Sequence, residues 1–94
     1  MINRVDISDD AAKDLKKVPA LIRQKLLFWV ELVERSGLAE VRKIPGFHDE
    51  PLKGKMKGVR SIRLNKAYRA FYITKRDNTI EFVSIEAVNK HDYR

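Results

Sequence analysis

The residues able to do chemistry are concentrated in residues 48–72, HDEPLKGKMKGVRSIRLNKAYRAFY, and in the last five, Lys90-His91-Asp92-Tyr93-Arg94. The chain has no cysteine, which excludes disulfides and thiolate metal sites and suits a reducing cytoplasm. His48, Asp49 and Glu50 are adjacent rather than at ligand spacing, and His91-Asp92 has the same defect, so no metal centre is expected. Gly54 and Gly58 fit neither the phosphate-loop nor the dinucleotide pattern, so no nucleotide cofactor is expected. No Ser/His/Asp nucleophile can be picked out by spacing.

What remains suits cofactor-free cleavage of RNA, in which the ribose 2′-OH attacks its own neighbouring phosphate. That reaction needs a base for the 2′ proton, cations for the charge on the phosphorane-like transition state, and an acid for the departing 5′ oxygen. Glu50, His91 and Asp92 are candidates for the base; Lys53, Arg63 and Arg69 for the cations; His91 or Tyr93 for the acid. Histidine titrates near neutral pH, which makes His91 a natural proton carrier. The same residues have plainer uses. Arg69 can pair with Glu81 or Glu86 across a sheet, Glu50 can be a loop acid, and a terminal His91-Asp92-Tyr93 can be a frayed end.

Charge points to the same stretch. Residues 1–39 carry a net +1, residues 40–76 a net +8 and residues 77–94 a net −2, within an overall +7. A surplus so localised suits a polyanion, either nucleic acid or an acidic protein, although a solvated basic surface gives the same count. Lys53, Lys55, Lys57, Arg60 and Arg63 are the candidate phosphate-binding set. No apolar run approaches 18 residues and MINRVDISDD has no signal-like apolar core, so neither a membrane span nor a secretory signal is expected.

The positioning elements follow from periodicity. Ninety-four residues make one domain, 1–94. Ile2 to Ile7 reads as a short strand. Ser8 caps a helix over 9–18 with Asp9 and Asp10 in its first turn. Pro19 opens a second helix from Ala20 to Ser36, whose Ile22, Leu26, Trp29, Val30 and Val33 recur at helical spacing, widened by Leu21, Leu27, Phe28 and Leu32. Trp29 in that pattern is core rather than a base-stacking residue. Gly37 stops the helix, and residues 38–47 hold a short further helical piece and a Pro45-Gly46 turn. Residues 48–51 make an irregular approach to a basic loop between Gly54 and Gly58.

From there the period becomes two. Ile62 and Leu64 alternate with polar residues, Tyr68 to Thr74 is apolar on both faces as a central strand is, and Ile80 to Val88 is a third strand. Short turns between these strands predict an antiparallel sheet. The fold class is therefore α+β in two layers: an N-terminal strand, an antiparallel helical hairpin on one face, then a three-stranded antiparallel meander. Ile62 and Leu64 should face the helices and send Arg63 to the open face.

The strings Glu50-Pro51-Leu52-Lys53-Gly54, Ser61-Ile62-Arg63-Leu64 and Tyr68-Arg69-Ala70-Phe71-Tyr72, closed by His91-Asp92-Tyr93, resemble the RelE/ParE superfamily of toxins from bacterial type II toxin–antitoxin systems, nearest its RelE, YoeB and HigB branches. The order of elements matches along essentially the whole chain. The resemblance implies a cytoplasmic mRNA interferase that cuts messenger RNA in the ribosomal 30S A site and is silenced by a cognate acidic antitoxin. It implies that Arg69 is held at the scissile phosphate and that Arg63 contacts phosphate; Glu50 matches the YoeB-like acid proposed there as general base, and Lys53 the motif lysine. His91 and Tyr93 resemble the terminal His/Tyr pair of YoeB, and Asp92-Tyr93 the ending of HigB. Ser61 stands where RelE has a further active-site lysine, and His91 is displaced by one residue from its YoeB position, so the base stays open among Glu50, His91 and Asp92. The competing class is a ParE-type toxin that binds and inhibits DNA gyrase without catalysis; the His/Asp/Tyr terminus argues for the nuclease. A basic adaptor that binds ribosome or RNA without cutting is the third.

Overall fold

The structure is a computed structural model and describes residues 1–90. Its elements are β1 (Val5–Ile7), α1 (Asp9–Leu15), α2 (Ala20–Ser36), α3 (Leu38–Val41), β2 (Glu50–Pro51), β3 (Arg60–Arg63), β4 (Tyr68–Asp77) and β5 (Ile80–Lys90), with single 3-10 turns at Pro45–Phe47 and Gly54–Met56. The Ser8 hydroxyl accepts from the Ala11 N–H at 3.0 Å and starts α1. Gly37 ends α2 at φ +85°, a left-handed conformation that a side chain resists. Arg23 ties the two helices at the Pro19 joint by donating to the Leu15 and Val18 carbonyls.

The sheet runs β1-β5-β4-β3-β2, so β4 is central as its two apolar faces required. β2 to β5 form an antiparallel meander, but β1 pairs with β5 in parallel. The meander is antiparallel as its short turns require, and the parallel β1 makes the whole sheet mixed. Turn lengths govern only consecutive strands; β1 and β5 are joined through everything else, and the helices carry the chain from one edge of the sheet to the other. Beyond the short β1, the free edge of β5 is satisfied by side chains. The Ser8 hydroxyl donates to the Glu86 carbonyl at 3.3 Å, and Asp14 accepts from the Val88 N–H at 2.9 Å. That pins the end of β5 on which the terminal residues follow.

The core lies between α2 and the sheet. Ile22, Leu26, Trp29 and Val33 from α2 meet Ile62, Ala70, Tyr72, Val83, Ile85 and Val88, all buried. Trp29 and Tyr72 rings pack at 5.2 Å between centroids. Leu21, Leu27 and Phe28, expected to widen the buried stripe, are instead 76%, 51% and 50% exposed. A helix on a single sheet buries only the i, i+4, i+7, i+11 face, and those three residues fall outside it. Helix α1 also ends three residues before Val18, which is buried in the joint rather than in the helix. Among the described residues, no helix is long and apolar enough to cross a membrane.

Candidate functional site

Directly opposed residues on neighbouring strands share a face, so the register places the candidate side chains without further assumption. Ile62 and Ala70 face the helices with Val88. One step along, Arg63 stands opposite Arg69, and Arg69 opposite Asn89, all on the open face. Two residues further, Glu50, Ser61, Phe71 and Ala87 form a second row on that face. Glu50 and Arg69 thus lie two strands and one row apart, roughly 12 Å between Cα atoms, a gap that the two side chains narrow from either side.

The arginine row is electrostatically unusual. Like charges directly opposed on a sheet repel, yet Arg63 and Arg69 are both half-buried. Arg63 Nε and Arg69 Nη1 are shielded from solvent with no hydrogen-bond partner among the described residues. Glu81 pairs with Arg76 at 3.4 Å and Glu86 accepts from Ser84, so neither acid is the cross-strand partner that a purely structural Arg69 would use. Two guanidinium groups with buried, unspent donors have the chemistry to hold an anion, because phosphate oxygens satisfy donors and charge together.

The acids of residues 48–50 divide between the faces. Glu50 points with Ser61 to the open face, and its Oε2 lies 3.6 Å from His48 Nε2. His48 reaches this position from a left-handed backbone, φ +50°. Asp49 turns inward instead, with a side chain only 1% exposed. It accepts from Arg60 Nε at 2.6 Å and from the Tyr72 hydroxyl at 2.5 Å, and Arg42 Nε donates to the same hydroxyl at 3.3 Å. Burial, together with the hydrogen bond to Asp49, pushes the Tyr72 phenol up to about 12. Arg60, opposite Tyr72 across β3 and β4, is therefore committed to this inward network, apart from the Arg63–Arg69 row. Sequence reasoning missed both the network and the place of His48. Strand alternation does not give it, because β2 begins only at Glu50 and His48 has a left-handed backbone.

Lys53, Lys55 and Lys57 are exposed on the tip of the β2–β3 hairpin, closed by the Leu52 N–H to Val59 carbonyl bond at 2.9 Å. The segment is a 3-10 turn with Gly54 at φ +67° and Gly58 at φ +95°, not a featureless loop. The structure thus brings Glu50, Arg63 and Arg69 to one face, places the lysines at its rim and turns Arg60 away. His91, Asp92 and Tyr93 lie outside the described residues. Among the described residues, no three His, Asp or Glu side chains cluster as metal ligands.

No family model matches the chain, and no curated protein matches it in sequence. Solved structures do. A YoeB/ParE toxin from Agrobacterium tumefaciens is 18% identical, with a TM-score of 0.69 over 95% of this chain and 99% of that one. YafQ from E. coli is 20% identical, TM-score 0.70, over 93% and 91%. The YoeB-YefM complex from Staphylococcus aureus gives 22% identity and a TM-score of 0.67 over 95% and 97%. The fold matches over nearly the full length of each chain.

Proposed function

We propose that this chain, which has the α+β fold of these toxin structures, is the toxin of a type II toxin–antitoxin pair, and that it acts in the cytoplasm as a metal-independent endoribonuclease on messenger RNA at the ribosomal A site. The observation that carries this reading is the opposed pair Arg63 and Arg69 on an open sheet face, with buried donors that have no partner among the described residues. An open face suits a strand of RNA, whereas a closed pocket would suit a small molecule.

In the reaction, Glu50, or His91 or Asp92 from the terminus, takes the 2′-OH proton. The 2′ oxygen attacks the adjacent phosphorus, and Arg63 and Arg69 stabilise the added negative charge on the non-bridging oxygens. His91 or Tyr93 protonates the departing 5′ oxygen, leaving a 2′,3′-cyclic phosphate and a 5′-hydroxyl. Lys53, Lys55 and Lys57 grip the flanking backbone. The same basic face suits an acidic antitoxin, which silences the enzyme by covering it.

The test is to incubate the purified protein with translating ribosomes and map messenger ends. Cleavage with 2′,3′-cyclic termini, lost in Arg69→Ala and Tyr93→Ala variants that stay folded, is expected. Intact message, with gyrase supercoiling lost in a parallel assay, overturns the nuclease reading in favour of the gyrase-binding class.

A further inference from the structure

Beside the arginine row, the open face continues into a cleft of about 420 Å³ bordered by Met56, Val59, Phe71, Ile73, Glu86 and Asn89. We propose that this cleft is a nucleobase subsite, taking the base next to the phosphate held by Arg63 and Arg69, and that Glu86 and Asn89 read its edge. The inference rests on the ribonuclease reading and adds to it a source of base preference.

Three features place a base there. The first is spacing. Arg69 and Phe71 are alternate residues of β4, on one face and about 7 Å apart, a span that one ribose bridges between a phosphate and its own base. The second is the lining. Phe71 is half-buried with its neighbours Ile73 and Val59, and Met56 stands 48% exposed on the basic hairpin tip between Lys55 and Lys57. An aromatic ring with a mobile thioether opposite suits a flat, polarisable ligand. The third is a β-bulge. Phe71 pairs with Ala87 but Tyr72 with Ile85, so β5 inserts Glu86 without a partner. Ile85 and Val88 stay buried against the helices, and the bulge turns both Glu86 and Ala87 to the open face. The bulge thereby carries a carboxylate to the edge of an apolar cleft. The Ser84 hydroxyl donates to Glu86 Oε2 and holds it there.

The chemistry of that edge narrows the ligand. A carboxylate only accepts, so Glu86 favours a base that offers an amino or imino N–H. The Asn89 amide both donates and accepts, and it stands opposite Arg69, where base and phosphate meet. The charge that flanks the cleft favours a polyanion's base over an apolar side chain of a protein partner. Arg63 and Arg69 lie on one side of it and Lys55 and Lys57 on the other.

The experiment measures binding of 2′-O-methyl trinucleotides, which cannot be cut, with A, C, G or U at the central position, by fluorescence anisotropy. Wild-type protein is expected to separate the four bases. Phe71→Ala is expected to weaken the best one by roughly tenfold; Phe71→Leu, which keeps the volume and loses the flat face, by nearly as much. Glu86→Gln is expected to compress the spread between bases while the salt dependence of binding stays as in wild type. Base-independent binding, unaltered in all three folded variants, overturns the subsite. So does a Phe71→Ala effect confined to binding of a protein partner or to self-association. Cleavage is not needed for this measurement. A protein that binds bases selectively but leaves ribosomal message intact refutes the nuclease and keeps the cleft; one that cuts message without base selectivity does the reverse.

Discussion

Replacing Arg69 by methionine should stabilise the protein while disabling it. The substitution keeps the stem that packs on the sheet and removes the charge opposed to Arg63. Relief of a directly opposed like charge contributes a few tenths of a kcal/mol, up to about 1. Removing Arg69 Nη1, a solvent-shielded donor without a partner among the described residues, relieves a cost of about 1–3 kcal/mol. Solvent screening at a half-exposed side chain discounts both, so a net gain of about 1–2 kcal/mol is expected, or roughly 5–10 °C in Tm for a domain of this size. Thermal unfolding followed by circular dichroism reads this directly. Adding inorganic phosphate should reverse the order, since a ligand at a hundred times its Kd stabilises only the competent site, by about 2.7 kcal/mol. Cleavage should fall by about a hundredfold or more, as for the loss of one transition-state donor. An Arg69→Met protein less stable than wild type in the absence of phosphate, or stabilised by phosphate as much as wild type, refutes the reasoning, because Arg69 would then be a structural residue.

Other perturbations reach different parts of the molecule. Asp49→Ala strands Arg60 and the Tyr72 hydroxyl and should cost about 3 kcal/mol, with Tyr72→Phe costing nearer 1 kcal/mol, both measured by urea denaturation. Because the folded Tyr72 phenol sits at about 12, above its unfolded value near 10, the folded state holds a proton that the unfolded state releases between those values. Its contribution is complete below pH 10, is lost as pH rises toward 12, and that alkaline slope should be absent in Tyr72→Phe. Alanine at Lys53, Lys55 and Lys57 together should weaken RNA binding at all sequences alike. Each lost phosphate contact should flatten the salt dependence by about 0.7 in log–log slope. Gly37→Ala should destabilise by about 1–3 kcal/mol, since φ +85° with ψ 152° is nearly reserved for glycine and the new methyl group meets Met1 Cγ at 2.6 Å.

The parts of the fold that could be read from sequence are those where one period dominates. Helix α2 runs from Ala20 to Ser36 as its apolar spacing, Pro19 and Gly37 require, and β4 is central because both of its faces are apolar. The parallel pairing of β1 with β5 could not be read. It joins segments more than seventy residues apart, and no local turn chemistry encodes it. The exposed Leu21, Leu27 and Phe28 show the same limit. Periodicity marks an apolar residue, but how wide a stripe is buried depends on what packs against it. Of the candidate site, Arg63 and Arg69 follow from alternation once Ile62 and Ala70 are placed inside. The commitment of Arg60 to Asp49 does not, because it depends on a partner eleven residues away across a hairpin.

That hairpin also explains why two adjacent acids have different fates. Strand β2 is two residues long, too short to hold its own register by apolar contacts. Its register is held instead by the Leu52–Val59 backbone bond and by the Arg60–Asp49 pair buried beneath it. A slip of one residue would exchange the faces, burying Glu50 and exposing Asp49. Burial of Asp49 is therefore the condition for Glu50 standing beside Ser61 and within reach of the arginine row. The inward network of Arg42, Asp49, Arg60 and Tyr72 contributes no group to the open face, yet it decides which carboxylate is presented there.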